Sequence, residues 1–501
     1  MTASAPAMRR VPLAWSIIAT SIPMFLVALN NLVVTNALPQ IQEEFSASQQ
    51  DLQWVINSYV LAFAGLLLTG AGLGDRYGRK KVFLGGLAIF AAGSVLCALA
   101  GSFPALLIGR VIQGVGAAAV LPLSLTLLSA AVPEKMRSAA IGIWSGINGL
   151  GVAIGPLLGG AVTDGLAWEW IFWINIPVAV IAAPLVLWAI DESVGPDREL
   201  DLIGMVTVSA AVTALVWGIV RGGTESWTDA WVLGSFIAAA ALLVAFVLWE
   251  RRAPYPLLPL RFYRIPTFVL SNIVSLCMYF GVFGSIFFLA QYLQGPLGFS
   301  ASEAGLRTLP WTAMPMLIAP IAGALTDRVG GGRFMAAGLG IQGIALAWIA
   351  IVAQSDTPYT ELVPPMVLGG IGMGLVFAPT AAVVLASVRE HEHGKASGAN
   401  NTVREIGGAL GVAILTTVFQ RYADTVVVHS SEDAAEPFIT GMRAAIWVGV
   451  AVVVAGALCG AAIKKNSRPQ VVAPQDDVSD HEPLGDGVTA QQTGDPVQAA
   501  D

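Results

Sequence analysis

Residues 72–81 read GLGDRYGRKK, and residues 323–333 read GALTDRVGGGR. Each is the glycine-rich end of an apolar run, followed by Asp-Arg and a short basic turn. Asp75 and Asp327 stand 252 residues apart, so one device occurs twice, and the interval constrains what lies between. A helix needs about 20 apolar residues to cross the hydrocarbon of a bilayer. Working outward from the two loops, such runs number fourteen: 13–38, 54–74, 82–101, 104–131, 138–162, 170–190, 201–220, 230–249, 266–292, 303–325, 334–353, 362–387, 396–420 and 439–462. Setting aside 191–265, which holds the seventh and eighth runs, leaves 177 residues of the interval, or about 30 per span and loop over six spans. The expected fold is an all-α polytopic membrane protein with 14 transmembrane helices arranged as 6+2+6.

The same arithmetic gives the expected domains: an N-tail at 1–12, a six-helix bundle at 13–190, two inserted helices with linkers at 191–265, a second six-helix bundle at 266–462, and a tail at 463–501. Parallel six-helix repeats with a site between them near the midplane are the plan of one large transporter class. Composition agrees with a membrane location. Of 501 residues 55% are hydrophobic and 12% charged, and the mean hydropathy of +0.72 is far above that of soluble domains. The net charge of −7 is concentrated in the tail, where seven acids fall in the last 26 residues. That tail is expected to be disordered, and no nucleic-acid partner is implied. Cys97, Cys277 and Cys459 lie far apart in apolar runs, the setting of buried thiols rather than of a disulfide framework. Arg9 and Arg10 precede the first run, but its length of about 25 residues suits a first span better than a cleaved signal.

Lys and Arg supply an independent test of topology, because a wrong span count would scatter them over both sides. With the N-terminus inside, 20 of the 26 fall in inner segments and only Arg221 and Arg421 in outer loops, while Arg110, Arg307, Arg404 and Arg443 fall within or beside spans. Both termini are therefore expected to be cytoplasmic.

Further motifs identify a family resemblance. LNNLVVTNALP ends the first span; AGLGDRYGRK follows the second, with Ala71 where Gly is usual; RVIQGVGAA (110–118) lies in the fourth, GVAIGPLLGG (151–160) in the fifth, WEWIFWINIP (168–177) before the sixth, and GKASGANNTVREIGGALG (394–411) in the thirteenth. From about residue 13 to 462 the chain resembles the fourteen-span drug:proton antiporter branch of the major facilitator superfamily. The resemblance implies a proton-coupled exporter of small amphipathic or hydrophobic compounds, working by alternating access in a bacterial inner membrane. Its partners are the cargo, protons and lipid; a monomer without cofactor or metal is expected. Export of a lipid or of an endogenous secondary metabolite is an alternative, and a membrane sensor on a transporter scaffold is another, although no loop is long enough to hold a relay domain. With no metal-ligand cluster or nucleophile motif, an enzyme is not expected.

Each motif also has a physical reading. In the repeated loops Asp75, Arg76, Gly78, Arg79, Asp327 and Arg328 suit a turn whose acid caps a neighbouring helix while the bases meet headgroups. Plain topology signalling explains the same residues; the resemblance implies a latch between the two halves. Gly151, Gly155 and Gly159 recur every four residues, with Gly160 adjoining and Pro156 removing a backbone donor. That suits close packing, and by resemblance an exporter's seal.

Arg110 and Asn30 are expected at similar depth. Relatives carry an acid at the Asn30 position; here only an amide oxygen is available to accept from Arg110. Asn30, Asn31, Thr35 and Asn36 form a polar arc suited either to interhelical hydrogen bonds or to a cavity wall. None of them carries a proton. Glu405 is the remaining acid near the bilayer centre, where burial favours its neutral form, so it is the expected coupling carboxyl, with a structural ion pair as the alternative. Asp51 is second choice. Trp144, Asn148, Asn272 and Tyr279 are further cavity candidates, suited to flat or cationic cargo.

Overall fold

In the computed structural model, residues 12–195, 199–224, 226–426 and 435–464 are described, with backbone alone at a few positions that include Asn31, Thr35, Asn36 and Pro156. The expected N-tail and acidic tail lie outside these residues, apart from positions 12, 463 and 464.

Fourteen long helices account for most of the described chain. The first six are α1 (Leu13–Val33), α2 (Gln49–Tyr77), α3 (Arg79–Ala98), α4 (Phe103–Ala131), α5 (Glu134–Gly165) and α6 (Asn175–Ala189). Next come α7 (Leu202–Thr224) and α8 (Ala230–Glu250). The last six are α9 (Pro266–Gln294), α10 (Met314–Val329), α11 (Gly331–Val352), α12 (Tyr359–Ala386), α13 (His393–Ala423) and α14 (Glu436–Ala461). Among the described residues, 13 stretches are long and apolar enough to cross a membrane. The expected fifth span, 138–162, is the one outside those 13; it falls on α5, whose side chains are described only in part.

Two expected spans are not single helices. The first run, expected to 38, ends as an α-helix at Val33, passes through a 3₁₀ turn at Val34–Ala37 and restarts as Leu38–Phe45. Pro39 stands in the first turn of that new helix, where its missing N–H costs nothing but blocks continuation from α1. The tenth run is likewise assembled from Ala301–Arg307, Leu309–Thr312 and α10, with Pro310 and Pro315 at the starts of the second and third pieces.

The sequence repeat has a counterpart in backbone geometry at the same 252-residue interval. Ser48 and Asp51 form a reciprocal capping box before α2, and Ser300 and Glu303 form another before the tenth span. Gly78 joins α2 to α3 at φ 110°, ψ 123°; Gly330 joins α10 to α11 at φ 102°, ψ 127°. A side chain would be strained at either angle, so glycine follows the Asp-Arg pair in both copies.

Core packing follows the chain. One apolar cluster draws on α1 to α6, with a few residues of α12; a second draws on α9 and α11 to α14, with Ala304 and Trp311 from the pieces before α10. A third joins α7, α8 and the segment after α8 to α2, α9 and α13. Thus α7 is inserted beside both bundles: Thr69 and Ser209 hydroxyls are 2.9 Å apart, a Cβ on Gly223 would lie 2.7 Å from Ala413 Cα, and Trp227, just after α7, donates from Nε1 to Thr417 Oγ1 at 2.6 Å. By contrast α8 is the least buried span and turns Trp231, Ile237 and Val244 outward, as a lipid-facing helix does.

Where α5 crosses α10, backbones touch. A Cβ on Gly323 would sit 2.6 Å from Gly142 Cα and 2.6 Å from Ser138 O. Gly323→Val is therefore expected to destabilise the protein by about 1–3 kcal/mol through overpacking, read as earlier thermal unfolding in detergent. Gly85→Val, at a site with nothing within 4 Å, should leave the transition in place.

Candidate functional site

The first bundle buries Arg110 without a carboxylate. Arg110 Nε donates to Val55 O at 2.8 Å and Nη1 to Gln113 Oε1 at 2.9 Å, and the guanidinium lies 4.4 Å from the centre of the Tyr59 ring. Gln113 Nε2 donates to Ser94 Oγ at 2.7 Å, which also accepts from Asn175 Nδ2 at 3.2 Å. This chain of neutral groups ties α2, α3, α4 and the start of α6 together. A desolvated cation–π contact is worth about 2 kcal/mol or more, and it stands where a counterion would otherwise be needed.

Asn30 is close in depth to Arg110, as the helix arithmetic anticipates, but the two are not bonded. Tyr59 lies between them. Both amide atoms of Asn30 and the Tyr59 hydroxyl are buried side by side, and none achieves hydrogen-bond geometry with a protein group. The Asn30 oxygen, available as an acceptor, is not used by Arg110: a backbone carbonyl and Gln113 take the guanidinium instead. Of the other members of that arc, the side chains of Asn31, Thr35 and Asn36 lie outside the description.

The second bundle repeats the arrangement on α13. Arg404 is 3% exposed, its guanidinium 5.5 Å from the centre of the Tyr279 ring, and its one hydrogen bond is long, from Nη1 to Asn401 Oδ1 at 3.5 Å. Its Nε and Nη2 are buried and have no partner. Tyr279 stacks on Phe283 at 5.1 Å and meets Phe377 edge-on at 6.0 Å. One turn towards the start of α13, Asn400 Nδ2 donates to Asn272 Oδ1 at 3.1 Å and Ser275 Oγ at 2.9 Å, so Asn272 binds α9 to α13.

Glu405 stands between these two centres. Protein encloses it, yet it keeps some accessible surface and so borders an internal space. Its charge is felt by Tyr59 of the first bundle and Tyr279 of the second. Ion pairs among the described residues include Asp75–Arg79, Arg137–Glu390, Arg221–Asp229 and Arg261–Glu392. Neither Glu405 nor Arg110 nor Arg404 belongs to any of them.

Other candidates sit elsewhere. The Asp51 carboxylate accepts from Ser48 N and Oγ at 3.0 and 2.8 Å in the α2 capping box, eight residues or about 12 Å along the helix from Tyr59. Trp144 is core, donating from Nε1 to Ser124 Oγ at 3.2 Å. Asn148, on the same helix, is buried at 8% exposure. Within the glycine motif, a Cβ on Gly151 would lie 3.0 Å from Phe25 O of α1, and one on Gly160 would lie 3.0 Å from Ser302 Cα. Gly155 and Gly159 are buried, and the Pro156 side chain lies outside the description.

The two copies of the loop differ in what they touch. Asp75 and Arg79, 1% and 4% exposed, pair at 2.7 Å; Arg79 Nη2 also donates to His391 O at 2.9 Å. A Cβ on Gly394 would lie 2.5 Å from Asp75 Oδ1, so the carboxylate abuts the first turn of α13. Asp327 is exposed and accepts from Ser138 Oγ at 3.0 Å. Position 331, which corresponds to Arg79, is glycine. Arg76 and Arg328 both point to the exterior.

Segment 389–395 receives contacts from three directions that its sequence did not announce. Glu390 accepts from Arg137 at 2.6 Å, His393 Nδ1 meets Ser129 Oγ at 2.9 Å, Glu392 pairs with Arg261, and Lys395 Nζ donates to Pro256 O at 2.6 Å. The only advance signal was its density of charge.

Comparison with known proteins gives a consistent result. A family model described as the Major Facilitator Superfamily matches residues 20–412 and 272–489. The chain is 34% identical over 402 residues, 80% of its length and 74% of the relative's, to the tetracenomycin C resistance and export protein of Streptomyces glaucescens. It is 34% identical over 405 residues to the multidrug resistance protein Stp of Mycobacterium tuberculosis, covering 80% of this chain and 75% of that one. The solved structure of the proton:xylose symporter XylE superposes with a TM-score of 0.61 at 14% identity, over 89% of this chain and 94% of that one; the likeness is one of fold.

Proposed function

The chain belongs to the major facilitator superfamily, and from that premise we propose that it exports small amphipathic or hydrophobic compounds in exchange for protons, by alternating access across a bacterial cytoplasmic membrane. The observation that carries the reading is Glu405: a carboxyl without hydrogen bond or ion pair, enclosed by protein, within electrostatic reach of an arginine–tyrosine pair in each bundle. A titratable group there senses both halves. Protonation from the outside and release to the inside, alternating with cargo at the same opening, couples the two fluxes.

The moving parts in this reading are the bundles 13–190 and 266–462, with 191–265 as an inserted pair. The side carrying the basic loops is cytoplasmic, and the contacts of Asp75, Arg79, Arg137 and Ser129 with 389–394 hold that side closed. The relatives' printed names, export of tetracenomycin C and multidrug resistance, support drug or antibiotic efflux. The former name also keeps open export of an endogenous product. The assay is reconstitution of the monomer in liposomes and a panel of fluorescent compounds under an imposed pH gradient. Flux that follows the gradient supports the reading; flux indifferent to it at every compound ends it.

A further inference from the structure

The proton-exchange reading leaves the charge of the cargo open, and the central residues bear on it. Arg110 and Arg404 are buried at 1% and 3% exposure, each over a tyrosine ring and each outside every described ion pair. One carboxyl, Glu405, adjoins Arg404, and Tyr59 lies within reach of both that carboxyl and Arg110. The charge beside Arg404 is therefore positive when Glu405 holds its proton and balanced when it does not, and never net negative. The groups without a partner include two donors on the cation itself, Arg404 Nε and Nη2. They call for acceptor oxygens, and the rings of Tyr279, Phe283 and Phe377 offer flat apolar surface beside them.

We propose that the central site selects uncharged aromatic compounds bearing hydrogen-bond acceptors and excludes permanent cations, with Arg404 as the excluding charge. This rests on the reading of the chain as a proton-coupled exporter. A hydroxyl on such cargo donates more strongly to Glu405 when that carboxylate is ionised than when it holds a proton, so cargo and proton compete without any charge on the cargo. One proton in for one neutral molecule out moves one positive charge inward per cycle.

The test uses the full chain in liposomes and matched dye pairs: 1-aminoanthraquinones with an uncharged side chain, and the same rings with a trimethylammonium group. In every pair that supports flux driven by a pH gradient, the neutral member should be carried at least about tenfold better, the effect of one like charge across roughly 10 Å of partly shielded interior. Arg404→Gln should narrow that ratio. For the neutral dye, a potassium diffusion potential with no pH gradient should drive transport in wild-type protein, a measurement that does not depend on whether the variant folds. A cationic member carried as well as its neutral partner, or neutral-dye flux insensitive to potential, overturns the proposal. Should no pair give flux that follows the pH gradient, it is the export reading that fails.

Discussion

Glu405→Gln is expected to reduce pH-gradient-driven transport to the level of protein-free liposomes while leaving the protein folded. The substitution keeps shape and a hydrogen-bonding end but removes the titratable proton. Since the carboxyl makes no hydrogen bond or ion pair, no partner is left stranded by its loss. Stability should therefore hold, and exchange of labelled for unlabelled cargo across the membrane, which needs no net proton movement, should persist. Normal gradient-driven flux in the variant would show that the proton travels by another group.

Asp75→Ala is expected to open the basic face. Asp75 is the carboxylate partner of buried Arg79, and it also abuts the first turn of α13, where the helix dipole is positive. Removing one member of a buried pair costs about 3–5 kcal/mol, because the other charge stays buried without compensation. The cost falls on the closed form, since an open face lets water reach Arg79. At about 1.4 kcal/mol per factor of ten, the closed form loses roughly 100-fold or more of its advantage. Cross-linking between cysteines placed at Arg137 and Glu390 should drop, and transport should slow with the helices still folded. Adding Arg79→Leu should recover part of the loss, because the stranded cation is then gone. Full activity of Asp75→Ala would end the latch idea. Asp327→Ala should matter far less, because Asp327 is exposed and its loop has glycine in place of Arg79.

That asymmetry shows where reading the chain succeeds and fails. The interval of 252 residues led to two loops alike in glycine torsion and capping box, since local chemistry repeats when local sequence repeats. Whether an acid is buried or exposed depends on what the other bundle brings to it. Asp75 meets α13; Asp327 meets only Ser138. Arg110 was legible as a costly buried cation, but its stabilisation by Tyr59, Gln113 and a backbone carbonyl was not. Those groups come from other helices, and nothing in their spacing marks them. Asp51 stood out as an acid near a span end, and its role in a capping box is shared by Glu303.

The linear order of residues determined the membrane class, the repeat, the helical spans and the side bearing positive charge, because each follows from hydropathy or from contacts within a few residues. It also drew attention to Glu405, since an acid deep in a membrane span is conspicuous on cost alone. Tertiary structure decided which charges are paired. Burial and partnership are properties of neighbours that the chain separates by tens to hundreds of residues, as His391 is from Arg79, and only packing of the two bundles brings them into contact.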